Sequence, residues 1–161
     1  MISLPSYSRL CLLVSILFFT GCAQLNGPAQ QQGEKSDGAK VEKLLAEAIA
    51  AEARDTALAE QLYQQMISAG AKAPRSLNHY AVYLRKQFRF DEAEAAYRQA
   101  LKNSPNHADT HYNLAILHEL YQGDFVRAKK QYELYLSKAT EPDPRVAGWI
   151  KDLGRRIEGG S

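Results

Sequence analysis

The chain has 161 residues, 24% of them charged, with 20 Lys and Arg against 18 Asp and Glu. A formal charge of +2 leaves no electrostatic case for a nucleic-acid binder. The length suffices for one small domain once leader and linker segments are set aside.

The first segment ends in LFFTGCAQ, residues 17–24. Arg9 is its one charge, Leu10 to Phe19 form an apolar stretch, and Thr20 and Gly21 are small enough for cleavage, so it reads as a targeting leader. The stretch is shorter than the roughly 20 apolar residues that span a bilayer. It resembles a bacterial lipoprotein signal peptide, with Phe19-Thr20-Gly21-Cys22 in the place of the lipobox. The resemblance implies removal of residues 1–21 and lipid modification of Cys22, and two acyl chains or more hold stably to a membrane. Ala23 follows the cysteine instead of Asp, which in a Gram-negative cell implies an outer-membrane anchor facing the periplasm. Cys11 would leave with the leader and Cys22 would be thioether-linked, so no thiol remains for a disulfide.

Residues 22–40 then continue as AQLNGPAQQQGEKSDGAK behind the cysteine, rich in Gln and Gly and poor in apolar side chains. This composition predicts a flexible tether. The folded domain is expected over about 41–157.

That domain is repetitive. In DEAEAAYRQALKNSP, residues 91–105, the pattern is Ala93, Tyr97, Ala100, Leu101 and Pro105. Ala59, Tyr63 and Met66 stand 34 residues earlier, and Ala128, Tyr132, Tyr135 and Leu136 stand 35 residues later. A period near 34 built from two helical stretches resembles the tetratricopeptide repeat. Leu77, Tyr80, Ala81 and Leu84 match the packing positions of a first helix in the second repeat, and His111, Leu114, Ala115 and His118 match them in the third. Small residues at these positions let a neighbouring helix approach, and the tyrosines fill the space beside them. The expected fold is all-α: a solenoid of three helix-turn-helix repeats, at about 41–70, 74–105 and 108–138, plus a capping helix at about 144–157. Val41, Leu44, Leu45, Ala48 and Ile49 make the first repeat amphipathic without the family's large residues.

Local signals set the helix ends. Asp55, Asp91 and Asp124 each stand where a carboxylate can cap a second helix. Gly70 can end the first pair, and Pro105 stops the second helix of the next. Asp143-Pro144 reads as N-cap and first turn of the last helix, whose stripe of Val146, Trp149, Ile150 and Leu153 faces inward as a solenoid cap.

Chemistry is absent from the motifs. There is no Gly-rich phosphate loop, GxSxG or HExxH, and Glu92 and Glu94 read as a solvated face, so neither an enzyme nor a cofactor is expected. His79, His107, His111 and His118 are the remaining metal candidates, but His111 and His118 share the packing stripe with Leu114 and Ala115 and are expected in the core.

The opposite stripe carries Arg75, His79, Val82 and Lys86, with Arg85 beside it, then Asp109, Asn113, Ile116 and Leu120. Each set follows i, i+4, i+7, i+11 and so lines one side of a helix. The resemblance implies that this side forms a concave peptide-binding groove, with Asn113 placed to bond a ligand backbone and Arg85 and Lys86 suited to an acidic or C-terminal peptide. The implied protein is a lipid-anchored scaffold that binds a protein or peptide partner of the cell envelope, similar in plan to lipoproteins that assemble a type IV pilus or secretin. Two alternatives are an adaptor that positions peptidoglycan-modifying enzymes at the outer membrane and a metal-binding accessory protein.

Overall fold

The computed structural model describes residues 28–160, with side chains from Asp37 onward. The leader, residues 1–21, and Cys22 lie outside the described residues. Among the described residues seven α-helices follow in order: α1 (Pro28–Ala51), α2 (Thr56–Ser68), α3 (Pro74–Lys86), α4 (Phe90–Asn103), α5 (Ala108–Ile116), α6 (Phe125–Lys138) and α7 (Val146–Gly159). A π-helical turn, Leu117–Tyr121, extends α5. There is no strand among the described residues.

Three antiparallel hairpins, α1 with α2, α3 with α4 and α5 with α6, stack so that α1, α3 and α5 form one row. Helix α7 closes the stack against α6. The small residues that admit these helices, Ala59, Ala81, Ala93, Ala115 and Ala128, are all fully buried. Tyr63, Tyr97 and Tyr132 fill the space beside them, each at most 1% exposed. Leu77, Tyr80 and Leu84, like His111, Leu114 and His118, are buried as their spacing predicts. Val146 and Leu153 anchor the cap helix in a second core cluster, with Trp149 and Ile150 packed against it. In the first repeat Val41, Leu44, Leu45 and Ala48 are buried, whereas Ile49 is exposed.

Four expectations need correction. Helix α1 begins at Pro28, so it occupies much of the segment read as a tether. Gln, Glu, Lys and Ala in that segment are adequate helix formers, and the helix extends outward from the docked part that starts at Val41. Asp91 does not cap α4. It lies inside the first turn, Arg89 holds the N-cap position, and no side chain caps the helix there. Helix α7 starts at Val146, two residues past Pro144, because Asp143 closes a local turn instead: its Oδ1 accepts from the Arg145 backbone at 2.9 Å and its carbonyl from Val146 N–H at 3.2 Å. Glu94 is not solvated. Its side chain is 13% exposed and accepts from Gln122, Arg98 and Arg127, tying α4 to α6.

Two of the turns between helices share one device. After α2, Gly70 at φ +79° donates to Ile67 carbonyl at 2.9 Å, and Ala71 donates to Met66 at 3.3 Å. These paired bonds satisfy the last carbonyls of the helix and need a left-handed residue, which glycine adopts freely. After α3 the same pair recurs, Phe88 to Arg85 and Arg89 to Leu84, but the left-handed residue is Phe88, at φ +61°. A bulky side chain there is a backbone outlier, at a cost of about 1–2 kcal/mol.

Between the second and third repeats the spacing lengthens from 34 to 35, as Ala59, Ala93 and Ala128 show. The structure places the additional residue in the π turn, after His118, which still aligns with Leu84 at 34, and before Gly123, which aligns with Phe88 at 35. A π turn accommodates one residue more than the regular helix without breaking it.

Candidate functional site

The row α1, α3 and α5, with the π turn that extends α5, carries every residue predicted for a groove. Its two ends differ in what those residues do. On α3, Arg75 pairs with Glu42 of α1 at 3.1 Å and Lys86 with Glu52 of α1 at 2.8 Å. The first repeat therefore neutralises two of the three cations expected to face a partner. His79, between them, is half-buried; burial and then the Arg75 charge hold its pKa below the ordinary 6.5. Val82 packs against the main core.

On α5, Asn113 donates to Asn78 of α3 at 3.1 Å, which leaves its carbonyl oxygen as an acceptor. Ile116 packs against the second core cluster, Asp109 is exposed in the first turn, and Leu120 on the π turn is 68% exposed. Asn78, a buried polar residue one position off the chosen stripe, was not among the residues expected there. It links the two helices that the groove would span.

The histidines are engaged within the fold. His111 Nδ1 lies 2.7 Å from Gln131 Oε1 and Nε2 lies 3.0 Å from the Pro105 carbonyl. His118 Nδ1 lies 2.6 Å from Gln122 Oε1, and His107 Nδ1 lies 2.8 Å from the Thr110 hydroxyl. Among the described residues no three His, Cys, Asp or Glu side chains converge on a metal-sized site.

Arg85 is set apart from the other arginines. Every other arginine among the described residues reaches an oxygen: Arg54 the Ala50 carbonyl, and Arg75, Arg89, Arg98, Arg127, Arg145, Arg155 and Arg156 a carboxylate. Arg85 has no such acceptor, and its Nη1 is buried. Its guanidinium instead lies 5.7 Å from the centre of the Tyr121 ring, a cation–π contact. Nearby, the Tyr97 hydroxyl is also buried and without a partner. Burial pushes that phenol up to about 12, while the Arg85 charge pulls the other way.

The neighbouring repeats explain both. The equivalent hydroxyls have carboxylates to bond: Tyr63 donates to Glu52 at 2.6 Å and Tyr132 to Glu119 at 3.0 Å. Glu52 stands 34 residues before Lys86, and Glu119 stands 34 residues after Arg85. The second repeat thus carries cations at both positions where its neighbours carry the carboxylate, and Tyr97 is left with no acceptor.

Comparison with known proteins agrees with the fold of stacked helical hairpins. Residues 84–150 match the tetratricopeptide repeat family. The Sgt2 TPR domain from Aspergillus fumigatus is similar in structure, with a TM-score of 0.65, 22% identity, and 74% of this chain and 80% of that one covered. Pseudomonas aeruginosa PilF has a TM-score of 0.65 at 20% identity over 81% of this chain and 64% of that one. The TPR2B domain of yeast Sti1, from a complex with pHsp70, has a TM-score of 0.61 at 21% identity, with 76% and 99% covered. A search of curated protein sequences finds no match. The fold is that of a tetratricopeptide-repeat solenoid, and the family's sequence pattern matches over residues 84–150.

Proposed function

We propose that this chain is a non-enzymatic scaffold of the cell envelope, anchored through lipidated Cys22, that binds a protein component of an assembling machine such as a type IV pilus or a secretin. The observation that carries the reading is the row α1, α3 and α5, which presents half-buried His79 and Asn113 and exposed Leu120 along a solenoid whose fold is that of interaction proteins. The leader ending in Phe19-Thr20-Gly21-Cys22 supports the anchor, and the likeness to PilF supports the choice of machine. In this reading the outer membrane holds the protein and the repeats face the periplasm. No helix among the described residues is long and apolar enough to cross a membrane.

Mass spectrometry of the protein from membranes tests the first half: the expected mature chain begins at acylated Cys22, and a Cys22→Ser variant loses both the acyl label and membrane retention. A mature chain beginning elsewhere refutes the anchor. In-cell cross-linking tests the second half, comparing the parent with a folded His79→Ala, Asn113→Ala variant. Recovery of a pilus or secretin component by the parent alone is the expected result. Recovery of a peptidoglycan hydrolase or synthase in its place would transfer the scaffold to the cell wall.

A further inference from the structure

At the α3–α4 turn an exposed aromatic ridge begins. Phe88 is 77% exposed and meets Phe90 edge-on, with ring centres 6.1 Å apart. Phe90 meets Tyr121 at 5.0 Å, and Tyr121 lies beneath the Arg85 guanidinium. Leu120, next to Tyr121, adds its exposed side chain. Most of this ridge lies off the predicted groove stripe, at the ends of α3 and of the π turn.

Three observations point to an occupant. The backbone at Phe88 is strained to present a side chain that the fold does not bury, while the equivalent position in the next repeat, Gly123 at φ +67°, carries none. Arg85 is the cation among the described arginines without an oxygen acceptor, and one of its nitrogens is out of water. In the flanking repeats a carboxylate, Glu52 or Glu119, serves the tyrosine hydroxyl, and the second repeat has none for Tyr97. Aromatic residues and arginine are also the side chains that most often dominate binding energy at interfaces.

We propose that Arg85, Phe88, Phe90, Leu120 and Tyr121 form a docking surface, which shares only Arg85 and Leu120 with the predicted groove, for a partner segment that carries an aspartate or glutamate next to an apolar side chain. The partner's carboxylate pairs with Arg85, supplying to the second repeat the acceptor that Glu52 and Glu119 supply to the first and third. Its apolar neighbour lies against Phe88, Leu120 and Tyr121. The proposal rests on the reading of the chain as an interaction scaffold.

The test uses the detergent-solubilised full chain and a random dodecapeptide display library, with recovered peptides measured by fluorescence anisotropy. Recovered peptides are expected to share an acidic residue beside Phe, Leu or Trp, and replacing that acid by its amide should weaken binding at least tenfold. Arg85→Gln and Phe88→Gly should each weaken it at least tenfold, with His79→Ala, Asn113→Ala unchanged. Phe88→Gly removes ring and strain together, so lost binding with an unchanged or raised melting temperature is not unfolding. Peptides without an acidic residue, or equal binding by Arg85→Gln, overturn the proposal. Loss of binding only in the His79, Asn113 variant overturns it and leaves the groove reading standing. If no peptide is recovered by either surface, the scaffold reading fails with it. Concentration-dependent self-association, or binding to anionic lipid vesicles, that is abolished by Phe88→Gly would assign the ridge to a second copy or to a membrane and likewise overturn the proposal.

Discussion

Tyr63, Tyr97 and Tyr132 occupy the same repeat position and are almost fully buried, yet substitution by Phe should affect them differently. Tyr63 donates at 2.6 Å to Glu52, and burial together with that carboxylate raises its phenol well above the ordinary range. Tyr132 stands in the same relation to Glu119. A hydrogen bond to a charged acceptor contributes about 1.5–3 kcal/mol. Glu52 keeps Lys86 as a partner after Tyr63→Phe, so about 1.5 kcal/mol is expected there. Tyr132→Phe takes from Glu119 its hydroxyl donor and should cost about 2 kcal/mol. Tyr97→Phe removes a buried hydroxyl that bonds to nothing, and relief from an unsatisfied polar atom is worth about 1 kcal/mol, less the small void left behind. For a domain of this size 1 kcal/mol corresponds to roughly 4 °C in Tm. Thermal and urea melts followed by circular dichroism should therefore show Tyr63→Phe and Tyr132→Phe lowered by about 6–8 °C. Tyr97→Phe should be unchanged or raised by up to about 4 °C. Destabilisation of Tyr97→Phe equal to the other two would mean that its hydroxyl has an acceptor, and would remove a main support for the docking surface.

Three further outcomes are expected. Burial, which outweighs the Gln122 bond, lowers His118 below its ordinary 6.5. The unfolded chain then takes up the proton first, so stability is lost as pH falls below 6.5, with His79 acting in the same sense; urea midpoints at pH 7.5 and 5.5 should show the loss, and His118→Gln should reduce it. Asp55 and Asp124 accept from Leu58 and Arg127 backbone N–H at 3.0 and 2.8 Å, so alanine at either should cost about 1 kcal/mol, and Asp91→Ala only a few tenths, by the same melts. At the matched turn positions, Gly123→Ala should destabilise by about 1 kcal/mol, while Phe88→Gly should be neutral to slightly stabilising as measured by urea denaturation.

Much of the fold was legible because a repeat announces its packing several times over. Ala93, Tyr97 and their counterparts recur at a fixed interval, and burial follows them with little exception. The ends were less legible. The polar run before Val41 has a tether's composition but also a helix former's propensities, and a helix already docked downstream decides between them. Asp91 failed as a cap because the left-handed turn at Phe88 starts α4 earlier than a carboxylate signal suggests. In the groove, periodicity placed each residue on its helix, but pairing across helices is not periodic. That Glu42 and Glu52 engage Arg75 and Lys86 depends on how α1 lies against α3, which no single helix pattern contains.

The spacing of 35 between Ala93 and Ala128 was visible in the sequence, and its structural meaning was not. An added residue can lengthen a loop, where it would change little, or enter a helix, where every side chain beyond it is turned by about 100°. Here it enters the π turn, so residues up to His118 keep the register of the second repeat while Gln122 and Gly123 resume it one position later. Glu119 remains where it can accept from Tyr132, and Tyr121 comes to lie under Arg85 of the preceding repeat. Without the added residue, the position after Glu119 would pass directly into the turn, and the segment that brings Leu120 and Tyr121 to the ridge would be one residue short. Deleting Leu120 should therefore restore the 34-residue spacing, keep the third hairpin folded, and take Tyr121 off Arg85. The NMR chemical shifts of the Tyr121 ring protons report that ring's change of surroundings. An unaltered Tyr121 environment in the deletion variant would show that the π turn is incidental to the contact.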